Sequence, residues 1–202
     1  MRACQRSVAN GLTLAAAALA LIASPRHAFA QKICEAEEAP LFICETDRKD
    51  KYLGICATEE KPGERWSAVQ YRFGNGEHAE LVYPTDARQG ASKLFFSHVT
   101  EGSIYHVSIR FVSGGFTYLI ESFADEASDP IGNGSAGVTV TDAAGKKVAT
   151  INCIEKPYMF PEYLRRALTC DLENPHGKAG CAYNTPTVSR PKRSAKTPRP
   201  RE

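Results

Sequence analysis

Three short patterns are missing from this sequence, and each absence removes a class of chemistry. No two cysteines are spaced Cys-x-x-Cys, which argues against thioredoxin-type redox work and ribbon-type zinc sites. No serine stands in Gly-x-Ser-x-Gly, so the nucleophile elbow of the hydrolases is not expected. No His-Glu-x-x-His occurs, which removes the helical zinc-protease signature. The glycine-rich stretches precede β-prone runs and not helices, so no phosphate-cradling loop is expected either. There is no internal repeat of the kind that marks a solenoid. Beyond residue 30 no apolar run approaches the ~20 residues that a membrane-spanning helix needs, and the chain is expected not to span a membrane.

What is present begins with an export signal. Arg2 and Arg6 precede an apolar run from Gly11 to Ile22, followed by Pro25 and the small-residue site Ala28-Phe29-Ala30. Residues 1–30 are therefore read as a signal peptide, and the mature chain is expected to start near Gln31 in the periplasm or outside the cell. Residues 31–185 carry 16 Lys and Arg against 22 Asp and Glu, whereas residues 186–202 carry six against one. An acidic domain thus precedes a basic tail with four prolines. The tail has almost no apolar residues to offset ordering entropy, and disorder is expected there. The acidic balance of residues 31–185 disfavours nucleic acid as a partner.

Six of the seven cysteines follow the export signal: Cys34, Cys44, Cys56, Cys153, Cys170 and Cys181. In an oxidising compartment an even set reads as three disulfides. Locality favours Cys44 with Cys56 across a first hairpin and Cys170 with Cys181 around a loop, which leaves Cys34 with Cys153.

The densest strand signal is Ser103 to Ser122. Tyr105, Val107, Ile109 and Phe111 alternate with polar positions, and Phe116, Tyr118 and Ile120 do so beyond the turn. A Ser113-Gly114 loop would set Phe111 opposite Phe116. Further strands are expected over Leu41–Thr46, Tyr52–Ala57, Ser67–Phe73, Ala79–Tyr83, Lys93–Val99, Gly137–Thr141 and Lys146–Cys153. The hairpin entering Ser103 has two registers: a four-residue loop puts His98 on the core face, and a three-residue loop sets it opposite His106 on the outer face. From Pro161 to Leu168 the apolar period turns helical. The expected fold is all-β, an antiparallel meander of about nine strands closed as a barrel or folded as a sandwich, with a short C-terminal helix and disulfides, in one domain over 31–185.

Candidate chemistry is sparse. Glu77-His78, His98 with His106, and His176 are the metal candidates, without a third ligand on a fixed geometry. Glu35, Glu37 and Glu38 read as a solvated acidic segment ahead of the first strand. No catalytic residue, metal site or cofactor is expected. Binding is better supported: the turn Ser113, Gly114, Gly115 to Tyr118, and a polar excursion Phe123–Ala136 carrying Asp125, Glu126 and Asp129, are the expected contact residues. An acidic domain with such loops attracts a cationic protein. The tail offers a contact to anionic cell-envelope material, and a structural component tethered by it is the alternative; a metal-dependent enzyme using His98 and His106 is the third reading.

Cys44, Cys56, Tyr71-Arg72-Phe73-Gly74, Glu80-Leu81-Val82-Tyr83-Pro84 and the stretch from Tyr163-Leu164-Arg165-Arg166-Ala167-Leu168 to Cys181 resemble a group of uncharacterised exported proteobacterial proteins, a likeness that implies no activity. Gly114-Gly115-Phe116-Thr117-Tyr118 is similar in spacing to the Ser-Gly-x-x-Tyr loop of bacterial inhibitors of C-type lysozyme, small exported β-barrels whose loop enters the lysozyme cleft. Glycine stands in the serine's place, with Ser113 one position earlier, and the family's Tyr-x-x-x-Thr-Lys-Gly motif is not found. The resemblance implies a protein-binding, inhibitor-like role with lysozyme as the partner.

Overall fold

A computed structural model describes residues 33–60, 66–125 and 134–181. Two sheets carry the chain. The first is built from β1 (Ala39–Glu45), β2 (Tyr52–Glu59), β3 (Trp66–Gly74) and β4 (Ala79–Tyr83), with β10 (Tyr158–Met159) on the far side of β1. The second runs β11-β5-β6-β7-β8-β9, where β5 is Phe95–Glu101, β6 Ile104–Ser113, β7 Phe116–Asp125, β8 Ser135–Thr141, β9 Lys147–Asn152 and β11 Thr169–Cys170. Among the described residues, all strand pairings are antiparallel hairpin pairings except β1 with β10, an antiparallel pair brought together over a long connection, and β11 with β5, which is parallel. The described strands do not close into a barrel.

The period-two pattern decides which side of each strand is buried. Leu53 and Ile55 of β2, Val69 and Tyr71 of β3, Val107, Ile109 and Phe111 of β6, Ile120 of β7 and Val138 of β8 form one core shared by both sheets. Helix α2 (Pro161–Ala167) and Leu94, just past helix α1 (Gly90–Lys93), add to it. Pro161 opens α2, where its missing N–H costs nothing, and Leu164 and Ala167 point into the core. At Gly90 a Cβ would lie 1.9 Å from the Val69 carbonyl oxygen, so only glycine lets α1 seat on β3.

Three disulfides are formed, but two of the expected pairings are wrong. Cys34 bonds Cys56 and Cys44 bonds Cys153, while Cys170 bonds Cys181 as the short loop suggested. The cause is hairpin register. A turn centred on Asp50 would oppose Cys44 to Cys56, but the chain turns earlier, pairing Glu45 with Tyr52 and Cys44 with Leu53. An odd shift moves a side chain to the other face. Cys44 therefore joins the shared core, whereas Cys56 sits on the outer face with Ile33, Cys34, Ile43 and Tyr52.

Two more loops differ from expectation. The β6–β7 turn is Gly114-Gly115 and not Ser113-Gly114, because both central residues have positive φ, 59° and 81°. Phe111 consequently faces Tyr118 and Ser113 faces Phe116. The β5–β6 loop is Gly102-Ser103, shorter than either register considered. Strand endings move slightly: β5 starts at Phe95 instead of Lys93, and β9 ends at Asn152.

Each outer face is partly covered by a terminal segment held by an arginine. On the first sheet Arg72 donates to both carboxylate oxygens of Glu38, at 2.6 and 2.8 Å, and to the Ile33 carbonyl and Gln70. Glu38 is thus a half-buried partner of Arg72 and not part of a solvated acidic run. On the second sheet Arg110 forks onto Asp171 with two bonds of 2.8 Å and reaches Glu173 at 2.9 Å. Asn174 adds a bond to Ser108, and Gly180 lies directly against Ser97.

Candidate functional site

The β6–β7 hairpin outreaches its neighbours. β5 stops pairing with β6 at Arg110, and β8 stops pairing with β7 at Thr117, so Phe111 to Phe116 extends beyond both flanking strands. Its base is stiff: the Phe111 ring stacks on Tyr118 at 4.6 Å and 3° and on Tyr83 at 4.6 Å and 14°. Tyr71 lies against the same ring at 4.9 Å, and burial pushes its phenol well above the usual range. At the tip the environment is the reverse. Nothing lies within 4 Å of a Cβ placed at Gly114 or Gly115, and Val112 and Phe116 are 49% and 39% exposed.

The expected contact residues separate accordingly. Ser113, Gly114 and Gly115 form the open tip, while Tyr118 belongs to the ring stack beneath it and is half-buried. Asp125 ends β7 at the opposite end of the same hairpin, where it accepts the Ser103 hydroxyl at 2.6 Å. The structure therefore does not bring Asp125 to the tip. Glu126 and Asp129 lie outside the described residues, as do the signal peptide and the basic tail.

The histidine pair does not form. His98 is paired with Val107 and His106 with Val99, so the two rings lie on opposite faces of the second sheet. His98 stacks on Tyr105 at 4.6 Å. Burial holds its imidazole below the usual value, opposed by the nearby Glu162 and reinforced by Arg165. On the outer face His106 Nε2 lies 3.1 Å from Glu121 Oε1. These two and Phe123 flank an open groove of about 430 Å³ over Gly137, closed on the far side by Thr150 and Asn152. The Ser113-Gly114 register expected from the sequence already sets His106 opposite Glu121, and the observed register makes them diagonal neighbours; the groove was missed because its floor and far side come from Gly137 of β8 and Thr150 and Asn152 of β9.

Among the described residues, the side chains that gather at metal-ligand distance are Cys34, Glu38 and Cys56. The two sulfurs are bonded to each other and Glu38 is engaged by Arg72, so this group is structural. Glu77 and His78 instead border a groove of about 460 Å³ beside the N-terminal segment. No described helix is long and apolar enough to cross a membrane.

Compared with known proteins, the chain matches no protein-family model, no curated protein and no solved structure.

Proposed function

We propose that this chain is an exported binding protein, a disulfide-braced β-sandwich that presents the tip of its longest hairpin to a cationic protein in the periplasm or outside the cell, and that it is not an enzyme. The observation that carries the reading is the contrast within one hairpin. A stacked aromatic base fixes the direction of the turn, while open space surrounds Gly114 and Gly115 and the tip displays Val112 and Phe116. Rigid presentation of a few apolar groups lowers the ordering cost of association. The excess of six acidic groups over residues 31–185 supports attraction of a basic partner before contact.

A C-type lysozyme is the partner class favoured by the spacing of Gly114-Gly115-Phe116-Thr117-Tyr118, and the role is then inhibition of its glycan cleavage. The test is lysozyme turnover with increasing amounts of the full oxidised chain at low and moderate salt. The proposal expects inhibition that weakens as salt rises. Unchanged turnover at low salt would remove the inhibitor reading.

A further inference from the structure

A second surface differs from the hairpin tip in position and chemistry. Where the chain passes from β10 into α2, four aromatic rings form a continuous row. Tyr158 meets Phe160 edge-on at 4.8 Å, Phe160 meets Tyr163 at 5.2 Å, and Tyr163 meets Trp66 at 5.8 Å. Phe160 and Tyr163 are 36% and 41% exposed, so the middle of the row faces outward. Trp66 forms its buried end, and its indole N–H finds no acceptor among the described residues. Aromatic rings exposed in a contiguous row mark a docking surface more often than chance exposure does.

The chain itself carries a segment suited to such a row. Residues 186–202 contain Pro186, Pro191, Pro198 and Pro200, three of them next to an arginine, in Arg190-Pro191 and Pro198-Arg199-Pro200-Arg201. Proline-rich segments pre-organised as polyproline II dock on aromatic-lined surfaces at low entropic cost, and arginine guanidinium groups stack on the same rings. Six basic residues of the tail face an excess of six acidic groups over residues 31–185, which attracts the tail to its own domain as a whole.

The length of the tail makes the contact reachable. The Cys181 sulfur lies 3.5 Å from the Phe96 carbonyl oxygen, at the edge of the second sheet. Residues 182–202 follow it, and a polyproline II segment of that length spans about 65 Å at ~3.1 Å per residue.

We propose that the Pro-Arg tail of this chain docks on the Tyr158–Phe160–Tyr163 row of its own domain. This contact is independent of the hairpin reading. It is tested with the full oxidised chain by NMR, following the ring resonances of Phe160 and Tyr163. Replacing Pro186, Pro191, Pro198 and Pro200 by alanine leaves the domain untouched and is expected to shift both rings. A free peptide of residues 186–202 added to that variant should restore the wild-type shifts saturably. The same peptide with alanine at every proline should bind at least tenfold more weakly, and Tyr163→Ala should weaken peptide binding by a similar factor. Ring resonances that are identical with and without the prolines would overturn the proposal. So would equal binding of the alanine peptide, which would reduce the contact to charge, and so would wild-type shifts that fade on dilution, which would place the tail of a second copy there.

Discussion

Cys44 of β1 is bonded to Cys153 just past β9, tying the first sheet to the last long strand of the second across 109 residues of sequence. The backbone reinforces the junction: Thr46 bridges Cys153, and the Ile154 N–H donates to the Glu45 carbonyl at 3.0 Å. In the chain-entropy account the loop closed by each bridge sets how much it stabilises, giving about 5 kcal/mol for this bridge and about 3 kcal/mol for each of the other two. Cys44→Ala with Cys153→Ala is therefore expected to lower the urea midpoint more than removal of either Cys34–Cys56 or Cys170–Cys181. Denaturation of the three paired variants checks the order.

Asp171 supplies a pH dependence. Burial alone would raise its carboxyl, but the Arg110 fork, with backbone donors from Glu173 and Asn174, outweighs that and holds it below the usual range. The folded value is then lower than the unfolded one, so the stabilisation is present above about pH 4 and is lost as pH falls through the folded value. Asp171→Asn should cost about 3 kcal/mol at pH 7, at the low end for a buried pair because Arg110 remains partly in water. The variant should also lack the wild-type loss of stability below pH 4, as read from thermal unfolding across pH 2–7.

His98 acts at a higher pH. Its imidazole is held below the usual value by burial, so the unfolded chain takes up its proton first on acidification. Stability contributed by the neutral ring is complete above about pH 6.5 and declines as pH falls toward the folded value, with a slope of at most about 1.4 kcal/mol per pH unit. His98→Gln should flatten the unfolding free energy between pH 7 and 5. An unchanged slope in that variant would assign the dependence elsewhere.

The glycine turn separates folding from binding. Gly115 has φ of 81°, where a β-branched side chain is strained by about 1 to 2 kcal/mol. Gly115→Val should lower the unfolding midpoint modestly, keep the core intact by circular dichroism, and weaken partner binding at least tenfold. Gly115→Asn, which tolerates this conformation, should largely retain both.

Side-chain alternation made the strand faces legible, whereas the partners across strands were not. β4 is found as expected, Val69 and Tyr71 are buried, and Val107, Ile109 and Ile120 share the core face. In the β6–β7 hairpin the register moved by two residues, which preserves the face and changes only the partner of Phe111. In the β1–β2 hairpin it moved by three, which separated Cys44 from Cys56 and reassigned two disulfides. The terminal segments were opaque for another reason. Arg72 and Arg110 stand at outward positions of their strands, where an arginine reads as solvated, and their acidic partners lie 34 and 61 residues away. The hairpin tip could be found from Gly114-Gly115, but the aromatic row needed α2, Trp66 and β10 to be placed together.

The hairpin as binding element is tested most directly by isothermal titration of a C-type lysozyme with the full oxidised chain, in parallel with a Val112→Ser, Phe116→Ala variant. The account predicts a one-to-one complex at low salt whose affinity falls with added salt and drops at least tenfold in the variant. No heat of binding at low salt, or equal affinity of the two proteins, would contradict it.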